Sequence, residues 1–149
     1  MQTRLKIETV QPEATKGLLR IEQYLAQSAI PKRQRELIKI RASQINGCAY
    51  CVNMHTRDAR KYGETEQRIN LVCVWREAGN IFTAEEQLLL AITEEITLIH
   101  RQGLSDALYE QAIAVLGEEK TAQLIMAIIT INAWNRLAVS LHTPAEEYH

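Results

Sequence analysis

The chain has 149 residues, 46% of them hydrophobic and 23% charged, with a formal net charge of −1. That length supports one domain spanning 1–149 with a core that needs no disulfide staples, and the near-neutral balance, with a pI near 6.4, argues against a nucleic-acid or anionic-membrane binder. Residues Met1 to Ile7 carry no signal-peptide-like apolar stretch, and the longest apolar run, Leu124 to Ile131, falls far short of the roughly 20 residues that cross a bilayer, so a cytoplasmic protein is expected.

Residues 1–10 read as an irregular or extended arm. Pro12 suits a first helical turn, and Ala14, Leu18, Ile21 and Leu25 then repeat at helical spacing. Ser28-Ala29-Ile30 ends that helix, and Pro31 opens another to about Gln44, with Leu37, Ile38 and Ile40 turned inward. Asn46-Gly47 is a strong turn signal. The helix behind it, to about Tyr62-Gly63, has an inner stripe of Cys48, Cys51, Val52, His55, Ala59 and Tyr62; Asn53, Arg57, Arg60 and Lys61 point outward. A helix from about Glu64 to Ala78 is apolar nearly all round from Ile69 through Trp75, which predicts burial, Cys73 included. Thr83 and Glu86 match a capping box, and the following helix should turn Leu89, Ile92, Ile96 and Ile99 inward before Gln102-Gly103. Ser105 caps a shorter helix stopped at Gly117, and a last helix runs from about Glu118 to Leu141. Leu124 to Ile131 is rich in β-branched residues, but it has polar flanks and no partner strand elsewhere, so helix is favoured. The expected fold class is all-α, a bundle of about seven helices.

Two of the three cysteines stand as Cys48-x-x-Cys51, and His55 follows one helical turn later. At i, i+3 and i, i+4 the three side chains share a face. Cys48 falls at the helix start, where unpaired N–H groups and the helix dipole favour a thiolate. A free cysteine, with a pKa of about 8.5, is mostly protonated near neutral pH, so a nearby base matters more. His55 is the local candidate. Glu36, on the preceding helix, is the candidate to orient it, since two antiparallel helices joined by a short turn bring the two alongside. The pattern offers a redox-active dithiol with a base in reach.

Glu36, Cys48-x-x-Cys51 and His55 sit among Leu37-Ile38, Arg41-Ala42-Ser43-Gln44, Asn46-Gly47-Cys48-Ala49-Tyr50-Cys51 and His55-Thr56. Together they resemble the alkylhydroperoxidase D-like (AhpD-like) core of the carboxymuconolactone decarboxylase superfamily. The motif-bearing part covers about residues 30–95, and Asn132-Ala133-Trp134-Asn135-Arg136 is similar to the family's closing helix. The resemblance implies an all-helical antioxidant enzyme, a thiol-dependent peroxidase or disulfide oxidoreductase needing no cofactor or metal. In it Cys51 would attack the peroxide, Cys48 would resolve the sulfenic acid into a disulfide, and Glu36 and His55 would relay the proton. The helix dipole favours a thiolate at Cys48, whereas His55 stands one turn from Cys51; proximity to the base agrees with the family's order. A thiol reductant, lipoyl or thioredoxin-like, and a homo-oligomer, trimer or hexamer, are implied as partners. The nearly all-apolar stretches 69–75 and 124–131 also favour an oligomer. One departure concerns Tyr50, which stands where the peroxidase type carries a histidine. With a pKa of about 10 a tyrosine is a poor base at neutral pH, which bears on the peroxidase rate more than on the dithiol chemistry.

Two rival functions belong to other classes. A lactone decarboxylase of the same superfamily would not rely on the cysteine pair, and a redox-sensing stress module would use it without turnover. Cys48 and Cys51 could also be half of a zinc site with His55 and either Cys73 or Glu36, though a second paired motif is missing. His100, His142 and His149 have no sequence partners and read as surface residues, and Trp75 and Trp134 read as core or interface.

Overall fold

The computed structural model describes residues 2–147, so His149 lies outside the described residues. The elements are α1 (Ile7–Val10), α2 (Pro12–Ala26), α3 (Lys32–Ile45), α4 (Ala49–Lys61), α5 (Glu66–Leu71), α6 (Ala84–Thr97) and α7 (Asp106–Ser140). Short 3-10 helices at Val72–Glu77 and Gly79–Ile81 link α5 to α6, and no strand occurs among the described residues. The all-α reading stands.

Helix α3 is the centre of the bundle because two of its faces are apolar. Leu37 and Ile40, one turn apart, pack with Ala59 of α4, with Val72, Trp75 and Phe82, and with Leu90 of α6. Ile38 looks the other way, into a cluster with Leu89 and Ile92 of α6 and Leu124 and Ile128 of α7. Each of these side chains is fully or almost fully buried, and each of the leucines and isoleucines among them contributes about 1.5–3 kcal/mol by burial. A helix so gripped is a rigid platform for any side chain it carries toward α4.

The ends of the helices follow their sequence signals. Pro12 occupies the first turn of α2. Thr83 and Glu86 form both halves of the capping box of α6, and Ser105 accepts from the Leu108 N–H at the start of α7. Gly117 breaks α7 at φ 78° and ψ 168°, a left-handed conformation that suits glycine, so a shorter and a longer helix run on from one another there. Leu124 to Ile131 is helical, with Leu124, Ala127, Ile128 and Ile131 buried.

Four expectations are corrected. The amino-terminal arm carries a helical turn, α1, because the Thr9 and Val10 N–H groups both donate to the Lys6 carbonyl. Cys73 is exposed rather than core, and Val74 is half exposed. The 3-10 helix over Val72–Glu77 brings residues three apart onto one face, so Val72 and Trp75 go inward and the two between them turn to solvent. Ile99 is exposed because α6 ends at Thr97, which frees the next residues from its inner stripe. Tyr62 is exposed as well; it follows the last residue of α4, and the Lys32 ammonium lies 5.5 Å from its ring centre.

An acidic brace ties the outer side of this frame together. Glu94 of α6 accepts from Arg41 Nε at 2.7 Å and from Trp75 Nε1 at 2.9 Å, and pairs with Arg76. Burial alone would raise its carboxyl pKa, but the bonds from Arg76, Trp75 and Arg41 outweigh it and hold the group below its ordinary value.

Candidate active site

The site begins at the turn between α3 and α4. Gly47, at φ 66°, supplies the left-handed step that ends α3, and the Cys48 N–H then donates to the Ser43 carbonyl at 2.9 Å. Cys48 is extended and becomes the N-cap of α4, its sulfur accepting from the Cys51 N–H at 3.2 Å. The helix start expected at Cys48 is therefore where the structure has it.

This turn is held from behind by α7. Asn46 Nδ2 donates to Asn132 Oδ1 and to Asn135 Oδ1, each at 2.9 Å. Asn135 Nδ2 donates to Ser43 Oγ at 2.9 Å, and Asn132 Nδ2 to Thr97 Oγ1 at 3.0 Å. Ser43, Thr97, Asn132 and Asn135 are buried and Asn46 half-buried, and in such a setting an unmade bond is costly. Sequence reasoning noted Asn132 and Asn135 as part of a similar closing helix but gave them no role. Their signal was two amides one turn apart within the mostly apolar second half of α7.

The four expected site residues come together across α3 and α4. Cys48 and Cys51 are joined as a disulfide with their Cα atoms 5.3 Å apart, and both are 1% exposed. His55 Nδ1 lies 2.8 Å from Glu36 Oε2, and both side chains are buried. A carboxylate only accepts, so the geometry fits Nδ1–H donating to Glu36 and leaves Nε2 as the acceptor of the ring. His55 lies one turn beyond Cys51 on the same helix. The arrangement is chemically that of a base oriented by an acid beside a sulfur.

Metal-ligand geometry is different from the zinc alternative. Among the described residues the side chains able to share an ion are Glu36, His55 and Asp58, whose ligand atoms lie within 4.8 Å of one another. Asp58 also accepts from Lys61 Nζ at 3.2 Å and from Arg57 Nε at 3.3 Å. Cys73 is not in that group; it is exposed, and its thiol donates to the Asn70 carbonyl at 3.4 Å.

Two clefts border the disulfide. One of about 600 Å³ is lined by Ser43, Cys48, Val52, Asn53 and Glu146 among others, and a second of about 290 Å³ by Cys48, Tyr50, Val139 and His142 among others. Gly47, Cys48, Ala49 and Ala145 line both, whereas Cys51 lines neither. The carboxy-terminal segment thus lies between the clefts beside Cys48. Asn53 Nδ2 tethers it by donating to the Glu146 carbonyl at 2.7 Å, and Arg57 Nη1 stands 4.0 Å from the Glu146 carboxylate. Asn53 and Arg57 read from the sequence only as an outward face.

Known proteins share this fold. The carboxymuconolactone decarboxylase family model matches residues 12–95. The uncharacterized protein YdfG of Bacillus subtilis (strain 168) is 43% identical over 141 residues, 95% of each chain. A crystal structure from Agrobacterium tumefaciens, of a protein of unknown function with the provisional designation antioxidant defence protein AhpD, superposes with a TM-score of 0.93 at 38% identity, covering 99% of this chain and all of that one. An uncharacterized peroxidase-related protein from Ralstonia eutropha JMP134, described as an alkylhydroperoxidase AhpD core, has the same fold at a TM-score of 0.79 and 19% identity, covering 94% of this chain and 74% of that one. With the Glu36, Cys48, Cys51 and His55 pattern folded onto two adjoining helices, the chain belongs to the carboxymuconolactone decarboxylase family as an AhpD-like member.

Proposed function

We propose that this chain is a thiol-dependent peroxidase or disulfide oxidoreductase, an antioxidant enzyme in which Cys51 attacks and Cys48 resolves. The observation that carries the proposal is the buried Glu36–His55 pair one turn from Cys51 of a Cys48–Cys51 disulfide. The AhpD designation of the Agrobacterium relative supports an antioxidant, peroxidase-related role.

In the reduced enzyme, His55 takes the Cys51 proton, and Glu36 compensates the charge that forms on the ring. The thiolate attacks one peroxide oxygen and breaks the O–O bond; Cys51 becomes a sulfenic acid, and the other oxygen leaves as an alcohol carrying the proton from His55. Cys48 sulfur then attacks the sulfenic sulfur, forming the disulfide and releasing water. Two thiols of a reductant, a lipoyl or thioredoxin-like protein, return the pair to the dithiol. Tyr50 lines the smaller cleft beside Cys48, where it offers a hydroxyl rather than a base.

A homo-oligomer is part of the same reading. An apolar hollow of about 550 Å³ opens between α6 and α7, and Ile99 and Ile129 on its walls are half exposed or more. Among the described residues no helix is long and apolar enough to cross a membrane.

The experiment is peroxide consumption with a dithiol reductant by wild type, Cys51→Ser and Cys48→Ser. Cys51→Ser should be inactive, and Cys48→Ser should give one oxidation without turnover and a trappable sulfenic acid. The family model also covers lactone decarboxylases in name, and unimpaired lactone decarboxylation by Cys51→Ser would select that reading instead.

A further inference from the structure

We infer that reducing thiols enter this site at Cys48 and leave Cys51 as the first thiolate, a regiochemistry that rests on the dithiol reading above. Two observations point the same way. Cys48 lines both clefts and Cys51 lines neither, so although both cysteines are 1% exposed, Cys48 is the one that borders the open space from which a thiol approaches. The proton acceptor and donor of the site, His55, is one turn from Cys51, so the sulfur best equipped to leave is that of Cys51.

The exchange then balances in two steps. A reductant thiolate attacks Cys48 Sγ; a new S–S bond forms there, the Cys48–Cys51 bond breaks, and Cys51 departs with the electron pair. The reductant thiol gives its proton to His55 as it ionises, and His55 passes that proton to the Cys51 thiolate. The second reductant thiol then attacks the reductant sulfur of the mixed disulfide, Cys48 leaves as a thiolate, and the proton of that second thiol ends on Cys48. The reductant is oxidised to its disulfide, and the protein gains two electrons and two protons. Cys48 suits the second departure because it caps α4, where the Cys51 N–H points at its sulfur at 3.2 Å and the helix dipole favours negative charge.

The same cap argues for the opposite order, in which attack at Cys51 expels Cys48 first. Access decides between them, since exchange rates depend on which sulfur can be reached as well as on the leaving group. At 1% exposure Cys48 is reached only at the floor of its cleft, beside the segment that carries Ala145 and Glu146. The reductant is therefore a small thiol, or a thiol on an arm slender enough to pass that segment.

The test uses the full chain with Cys73→Ser, oxidised by diamide so that no peroxide chemistry is involved. A pulse of 2-mercaptoethanol is quenched with excess iodoacetamide, and the tryptic peptide spanning residues 42–57, which holds both cysteines, is sequenced by tandem mass spectrometry. The expected product carries mercaptoethanol on Cys48 and the alkyl group on Cys51. The reverse pattern, or equal amounts of both, overturns the assignment. Where reclosure outruns alkylation, the lone thiols decide: with 2-hydroxyethyl disulfide, and compared by the limiting rate constants reached once each thiol is fully ionised, Cys48 in a Cys51→Ser background should react faster than Cys51 in a Cys48→Ser background, and an equal or inverted limiting rate overturns it. Missing peroxide turnover with a clean Cys48 adduct would sink the peroxidase proposal alone.

Discussion

Glu36 Oε2 and His55 Nδ1 lie 2.8 Å apart, bridging α3 and α4 from positions nineteen residues apart in sequence. Both groups are buried, and α3 is clamped between the two apolar clusters, so the pair has little freedom to separate. Replacing Glu36 by Gln keeps the shape and removes the charge that compensates a protonated imidazole. Peroxide-driven loss of the Cys51 thiol should slow by on the order of 10²-fold. Stopped-flow thiol titration reads this directly, and a rate within twofold of wild type would remove Glu36 from the relay.

The three asparagines behind the turn carry a stability prediction. Asn135→Ala leaves Ser43 Oγ and Asn46 Nδ2 each short of a partner in a buried setting, which should cost about 1–3 kcal/mol in urea unfolding. Asn46→Ala in the same background should add less than its single-mutant cost, with a coupling of roughly 0.5–3 kcal/mol. Strict additivity would mean that the network does not act as a unit.

Acid sensitivity should draw on Glu94, which like Glu64, Glu66 and Glu85 is held below the ordinary carboxyl value. Its folded-state pKa is lowered, so the unfolded chain binds the proton more tightly, and the stability Glu94 adds is fully present above its unfolded value near 4.5. That contribution is lost as pH falls from 4.5 through the folded-state value. Unfolding midpoints followed by Trp75 fluorescence should therefore drop across this window in the wild type. Glu94→Gln should start lower at neutral pH and show a flatter acid limb; parallel curves would assign the acid loss elsewhere.

Releasing the carboxy-terminal segment should expose Cys48. Asn53→Ala removes the bond to the Glu146 carbonyl, a contact of about 0.5–1.5 kcal/mol, so reduction of the oxidised protein by a small thiol should quicken roughly 2- to 12-fold. Thermal stability should change little, because the segment packs at the surface. Unchanged reduction kinetics would show that the segment does not limit access.

What the sequence discloses and what it hides follow from the range of the interactions. The C-x-x-C-x-x-x-H spacing is a property of one helix, and Asn46-Gly47 announces the turn before it, so the cysteines and His55 were legible locally. Glu36 taken singly reads as a solvated helix residue; the short connection between α3 and α4 makes the pairing with His55 feasible, and the family spacing is what singles Glu36 out. Cys73 was misread because an apolar run suggests a regular helix, whereas the 3-10 helix over Val72–Glu77 changes which residues face inward. Ile99 failed for a similar reason, since periodicity cannot say where α6 stops. The Asn46–Asn132–Asn135 cluster and the Asn53–Glu146 tether join segments more than 80 residues apart, and while two amides one turn apart mark Asn132 and Asn135 as unusual, local spacing cannot say which residues they meet.

The most direct test of the dithiol mechanism is a free-thiol count on metal-free, pre-reduced protein before and after one equivalent of peroxide. The wild type should fall from three thiols to one, and Cys73→Ser from two to none, with a dithiol reductant restoring both. An unchanged count in either protein would contradict the mechanism and leave the cysteines structural.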